Sequence, residues 1–243
     1  EVVVPPTELL GSREDLGHPD QLWTWVHENI AQPGVKAAVI SSDAMVYGSL
    51  VGSRKHNESR AQILARASRF TELHRANPKV PLYVFGSIMR TPRTGEASGH
   101  EEPEYYRRYG ADIFRYTLLR DKEEVEGLSR RERKEYEFLT RLIPKEALTD
   151  WMGRREKNYA VNEFLINLRK NGTFHYLALG RDDNAPFSQT HLESRHLAAV
   201  GAELGKTRFQ TMAGIDEIAL LMLTRAVNEQ RHEVPFVFVR YNW

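Results

Sequence analysis

Six short runs of β-branched and aromatic residues punctuate the chain: Val2–Val4, Ala37–Ser41, Leu82–Ile88, Phe174–Leu179, Phe209–Met212 and Pro235–Arg240. Within each run the apolar residues are nearly continuous rather than alternating with polar ones. That is the pattern of parallel strands covered on both faces. Between the runs the apolar period lengthens to that of helices. Pro19 suits a first helical position ahead of Leu22, Trp23, Val26 and Ile30. Asn57 is placed to cap a helix running to about His74, which Asn77-Pro78 ends. Val161, Phe164, Leu165 and Leu168 fall on one stripe, with Asn171-Gly172 beyond it. Thr190-x-x-Glu193 has the form of a capping box opening a helix to about Leu204. Ile218–Leu223 is apolar all round, which predicts a deeply packed helix. Strands alternating with helices give the α/β class.

Charged helical sequence interrupts this alternation at about residues 91–172, with Arg130-Arg131-Glu132-Arg133-Lys134-Glu135 at its centre. The signs are interspersed, which marks a solvated helical insertion rather than a nucleic-acid arm. Composition agrees. Lys+Arg is 34 against Asp+Glu 33, without the basic excess of a nucleic-acid module. The absence of cysteine rules out a disulfide framework, a thiolate metal site and a cysteine nucleophile. No apolar run approaches the length of a membrane span. The 243 residues start and stop within or beside strand-like runs, so they read as a piece of a longer chain, with no signal of compartment.

Polar residues gather after nearly every strand run: Ser42-Asp43, Arg90-Thr91, Arg181–Asn184, Asp216-Glu217 and Tyr241-Asn242. A barrel brings all such strand ends to one mouth, whereas an open doubly wound sheet concentrates them at one switch point. The expectation is a parallel β/α, TIM-like barrel, incomplete in this chain and carrying the helical insertion. Its edges would want covering by missing segments or by a second copy in a homo-oligomer.

Three stretches carry candidate chemistry. In Gly180–Pro186 two adjacent carboxylates, Asp182 and Asp183, follow a buried strand, with Asn184 beside them. Like charges side by side raise at least one pKa, which keeps an acid protonated near neutral pH; Asp and Asn are also ordinary turn residues. The loop Ser42–Arg54 brings together Asp43, Tyr47 and Arg54, with Gly48 and Gly52 permitting close backbone approach. Its glycine spacing fits neither a P-loop nor a dinucleotide fingerprint, so no cofactor is implied. Asp216 and Glu217 open the apolar helix, where the helix dipole alone is a sufficient reason for acidic residues. The nine histidines show no metal-ligand spacing, and no serine stands in G-x-S-x-G.

Asp43–Arg54, Asp182–Pro186 and Gly214–Glu217, in that order, together resemble a bacterial family known as domain of unknown function 4127. Its members carry a D-M-L-x-Y-G-G-L-x-x-S-R-like loop, then D-D-N-A-P, then G-x-D-E. Ser49 stands here where the family tends to have a second glycine. Members are roughly twice this length and begin with a V-P-L-D-D-R-P-like strand, absent here, whose Asp and Arg could belong to the site. The Asp-Asp pair is similar to that of retaining β-N-acetylhexosaminidases, in which the substrate's acetamide oxygen attacks the anomeric carbon. That likeness implies a glycoside hydrolase acting on an N-acetylhexosamine-containing glycan. It casts Asp182 as the group orienting the acetamide and Asp183 as general acid/base. Asp43, Tyr47, Arg54, Asn184, Asp216 and Glu217 would contact sugar hydroxyls. Two alternatives stay open. One is a metal-dependent hydrolase or lyase using Asp43, Asp182, Asp183, Asp216 and Glu217 as oxygen ligands. The other is a non-catalytic carbohydrate binder with stacking aromatics such as Tyr47, Tyr241 and Trp243.

Overall fold

A computed structural model describes residues 1–12, 15–96, 99 and 101–234 of the chain. The Pro235–Arg240 run, with Tyr241 and Trp243, lies outside the described residues. Four runs form strands: β1 (Ala38–Ser41), β2 (Leu82–Ile88), β3 (Tyr176–Arg181) and β4 (Phe209–Ala213). They make one parallel sheet in the order β1-β2-β3-β4. Its register sets Val39 against Tyr83, Phe85 against Ala178 and Leu179 against Thr211. Val2–Val4 is exposed and forms no strand. Pro5-Pro6 follows it directly, removing two ladder donors, and the chain turns at once into a 3₁₀ helix at Thr7–Leu9.

The helices are α1 (Pro19–Ile30), α2 (Ser42–Tyr47), α3 (Leu50–Lys55), α4 (Arg60–Ala76), α5 (Tyr106–Val125), α6 (Arg130–Leu142), α7 (Lys145–Lys170), α8 (Gln189–Val200) and α9 (Ile218–Arg231). Pro19 does open α1, and Asn77 closes α4. The cap of α4 is Ser59, not Asn57: its hydroxyl accepts from Gln62 N–H while the Gln62 side chain accepts from Ser59 N–H. Thr190-x-x-Glu193 is not a capping box either. Ser188 caps α8 by accepting from His191 N–H, and both Thr190 and Glu193 point into the interior.

The two faces of the sheet have different covers. On one, Ile40, Leu82, Val84, Leu177, Leu179 and Phe209 pack against α1, α2, α4, α7 and α8. On the other, Tyr83, Tyr176 and Ala178 meet Ile218, Met222 and Ala226 of α9. Both covers explain why the strands read as continuous apolar runs. Helix α9 is also held by polar contacts. Tyr83 Oη donates to Glu229 Oε2 at 2.6 Å, and the Arg225 guanidinium lies 3.9 Å from the centre of the Tyr176 ring. It is not deeply packed all round as its sequence suggested: Leu220 and Leu221 face outward, 67% and 52% exposed. A helix laid across a sheet buries one stripe, and the residues between positions i and i+4 have nothing to pack on.

The sheet is not closed. Among the described residues β1 and β4 are its two edges, and α9 occupies the face that would line a barrel. The α/β class holds; a closed barrel is not what these four strands form. Three helices, α5–α7, join β2 to β3. Tyr106, Ile113, Leu119, Leu139, Ile143 and Trp151 form a separate small core among them. The C-terminal half of α7 instead lines the main core through Val161, Leu165, Ile166 and Leu168. Among the described residues no helix is long and apolar enough to cross a membrane.

Candidate functional site

The C-terminal ends of β1, β2 and β3 meet around Arg54. The loop from β1 enters α2 through Ser41, whose hydroxyl accepts from Ala44 N–H, and α3 through Ser49, which accepts from Gly52 N–H. Between them Gly48 has φ +91°, and a Cβ there would stand 2.1 Å from the Leu16 carbonyl oxygen. Only glycine fits. This tight double turn drives Arg54, in the last turn of α3, into the interior with 1% of its side chain exposed.

Arg54 Nη1 lies 2.9 Å from Glu101 Oε2 and Nη2 lies 3.2 Å from Asp182 Oδ2. Arg90, after β2, approaches the same carboxylates: Nη2 is 3.0 Å from Glu101 Oε2, Nε 3.1 Å from Glu102 Oε1 and Nη1 3.7 Å from Asp182 Oδ2. Burial and the neighbouring Arg90 charge pull the Arg54 pKa below its usual value. Burial pushes Glu102 up, against the pull of both guanidiniums. Asp182 is also raised, because its desolvation, with Asp216 and Glu101 nearby, outweighs the arginines.

The two adjacent aspartates face different partners. Asp182 presents its carboxylate to the arginine pair, with 29% of its side chain exposed. Asp183 turns to donors: Thr91 N–H at 2.9 Å, the Ser188 hydroxyl at 3.1 Å and Ala185 N–H at 3.3 Å. Ser188 is held in turn by Asp121 of α5, which also accepts from Arg195 at 2.8 Å and lies 2.6 Å from His191 Nδ1. Just before the pair, Gly180 lets the β4–α9 loop come close; a Cβ there would stand 2.5 Å from the Gly214 carbonyl oxygen.

The remaining sequence candidates divide. Asp43 is buried. Desolvation lifts its pKa to about 7, against the opposing influence of the neighbouring Ser87 and Arg54. Tyr47 is buried and stacks on His56, with ring centres 5.0 Å apart; burial and the Asp43 charge push its phenol well up. Neither is placed to touch a ligand from solvent. Asn184, Asp216 and Glu217 are exposed. Asp216 reaches Asp182 only electrostatically, and Glu217 is the N-terminal flank of α9. Of the five acids named for an oxygen-ligand metal site, Asp43 is buried, Asp182 and Asp183 face different partners, and Asp216 and Glu217 are exposed. Among the described residues no three His, Asp or Glu side chains are gathered as a metal set.

Sequence reasoning missed Glu101, Glu102, Arg155 and Asp121. Arg155 was findable. Trp151, Arg155, Asn158 and Asn162 fall on one face of α7 and all are buried, so the face is a polar seam within an amphipathic helix. Glu101 and Glu102 carried no signal that set them apart from other acids in a charged segment.

No curated protein and no solved structure matches this chain. One family model does, over residues 1–243, and its description is "Protein of unknown function (DUF4127)". By that full-length match the chain belongs to the DUF4127 family.

Proposed function

We propose that the protein is a glycoside hydrolase acting on N-acetylhexosamine-containing glycans by a substrate-assisted route. One observation carries this reading: the adjacent Asp182 and Asp183 stand in opposite environments at one strand end. Neighbouring carboxyls with different partners and exposure can divide acid/base and charge-stabilising roles between them. The geometry favours exchanging the roles implied by the resemblance. Asp182 is desolvated, partly open to the cleft and raised in pKa, so it suits the general acid/base. Asp183 is fixed by Thr91, Ala185 and Ser188, and its Oδ2 keeps a lone pair beside Thr91 N–H to accept the acetamide N–H. In the forward step the acetamide oxygen forms a bond to the anomeric carbon as the glycosidic bond breaks, and Asp182 gives its proton to the leaving oxygen. Water then attacks the anomeric carbon and gives one of its protons to Asp182, while the bond from the acetamide oxygen to that carbon breaks and the acetamide is restored. The strand order without reversal is that of consecutive barrel strands, but α9 lies on the face a barrel would enclose, so the scaffold for this reading is an open parallel sheet covered on both faces.

The test is hydrolysis of aryl N-acetylhexosaminides. Asp182→Asn should lose about 100- to 10,000-fold in kcat. Equal turnover by the variant and the parent removes the mechanism.

A further inference from the structure

Basic and acidic residues are mixed along α6 in sequence, but the fold sorts them. Two of its acids turn inward to α5. Glu132 Oε1 lies 2.6 Å from Lys122 Nζ, and Glu135 takes a two-pronged pair from Arg115, Nε at 2.7 Å and Nη2 at 2.9 Å. Tyr136 stacks on Tyr116 with ring centres 4.8 Å apart, and Leu139 enters the small core of the insertion. Arg133, on the flank, pairs with Glu123 at 2.8 Å. These contacts fix which way α6 faces. At 3.6 residues per turn, Arg130, Arg131, Lys134, Phe138, Arg141 and Leu142 share the opposite face, within about a third of the circumference. All six are exposed, Phe138 at 56% and Leu142 at 45%. Among the described residues none of the four cations makes an ion pair, and Arg131 meets Glu135 only electrostatically. Glu137 is exposed at the border of the stripe and pairs with none of them among the described residues. Arg130, Arg131 and Lys134 also border one shallow, open depression. A chain with a net charge of +1 therefore carries a concentrated cationic face, not a general basic excess.

Two exposed apolar side chains are ordinary by themselves. Here they stand inside a stripe of unpaired cations. A nucleic-acid backbone would draw the cations but offers nothing to Phe138 and Leu142. The head-group boundary of a bilayer takes both kinds of side chain, with apolar groups at the acyl edge and long basic stems reaching lipid phosphates. We propose that the outer face of α6 docks the protein on an anionic lipid bilayer, with the helix lying in the plane of the head groups. The core shared by α5, α6 and α7 is the rigid base that presents it. No residue of α6 belongs to the Arg54 cluster, so this docking goes beyond the hydrolase reading and stands without it.

Cosedimentation of the whole chain with vesicles is the test, using phosphatidylcholine alone and phosphatidylcholine mixed equally with phosphatidylglycerol. The parent should bind the anionic vesicles and leave the neutral ones, and added salt should weaken binding. Each cation near an anionic surface is worth about fivefold in partition, so the triple variant Arg131→Gln, Lys134→Gln, Arg141→Gln should lose about 100-fold. Phe138→Ser should lose about fivefold and keep the salt dependence. The control Lys36→Gln, Lys79→Gln removes two exposed charges ahead of β1 and β2 and should bind like the parent. No binding of the parent to anionic vesicles, or equal binding to neutral ones, overturns the proposal whatever the variants do. A control that loses as much per charge as the α6 variant also overturns it, because diffuse attraction would then be enough. Capture of a random DNA duplex in preference to anionic vesicles, unaffected by Phe138→Ser, would give the face to nucleic acid and overturn the lipid assignment.

Discussion

Replacing Arg155 by Met should destabilise the protein more than any surface change and should disturb the arginine cluster without touching it. Arg155 is fully buried on α7 and makes a two-pronged pair with Glu193 of α8, Nε to Oε1 at 2.9 Å and Nη2 to Oε2 at 2.7 Å. The same guanidinium donates to the carbonyl oxygens of Met89 and Arg90 at 2.7 and 2.8 Å, and lies 4.8 Å from the centre of the Trp151 ring. Thr190 keeps a hydrogen bond to the Met89 carbonyl, but the buried Glu193 carboxylate loses its guanidinium and keeps only the Gln189 side-chain amide, 2.9 Å from Oε1. Breaking one side of a buried ion pair costs about 3–5 kcal/mol. With a urea slope of about 3 kcal/mol per molar, the unfolding midpoint should fall by about 1 M or more. Met fills similar volume, so a cavity is not the cause. The double variant Arg155→Met, Glu193→Met should regain most of the loss, because an apolar pair needs no partner. A midpoint shift under about 0.3 M, or a double variant no more stable than the single one, would refute the reasoning. If the proposed hydrolase reading holds, turnover of aryl N-acetylhexosaminides should fall as well, since Arg155 donates to the Met89 and Arg90 carbonyls.

Two further perturbations follow from the same region. Asp43 has an ordinary pKa of 3.8 and is raised to about 7 in the fold, so the folded state alone holds the proton between those values. Stability from this group is full at low pH and falls as pH rises toward 7, by an amount on the order of 4 kcal/mol. Urea unfolding at pH 5, 6, 7 and 8 should show that decline in the parent and a flatter profile in Asp43→Asn; identical slopes would contradict the assignment. Gly48→Ala should cost at least about 2 kcal/mol in thermal unfolding, because φ is +91° and the Leu16 oxygen blocks the new Cβ; an unchanged melting temperature would show that the turn relaxes.

The strand runs at Ala37–Ser41, Leu82–Ile88, Phe174–Leu179 and Phe209–Met212 were legible because a strand buried on both faces has to be apolar throughout. Val2–Val4 looked the same, since composition cannot show whether a neighbour is there to pair. The capping residues were two positions off at both α4 and α8. Ser, Thr and Asn are interchangeable as caps, and only tertiary packing decides which one faces inward. At the site, Asp182, Asp183 and Arg54 stood out as charged residues beside strand ends and glycines. Their partners did not, because Glu101 and Asp121 reach the cluster across distances in sequence that no local pattern encodes.

The long detour between β2 and β3 bears on how the chain folds. The central pair of the sheet is joined through residues 89–175, so its hydrogen bonds form only after a large loop closes. Closure entropy grows slowly with length, about 0.6 kcal/mol for each doubling, so the equilibrium hardly registers the detour. The rate does, since distant pairing must be reached before any contact rewards it. The separate core of Tyr106, Ile113, Leu119, Leu139, Ile143 and Trp151 can assemble inside that loop from neighbouring helices. Once formed, it shortens the flexible span that remains to be searched. Amide protection during refolding should therefore arise first in α5 and α6 and only afterwards across β2 and β3.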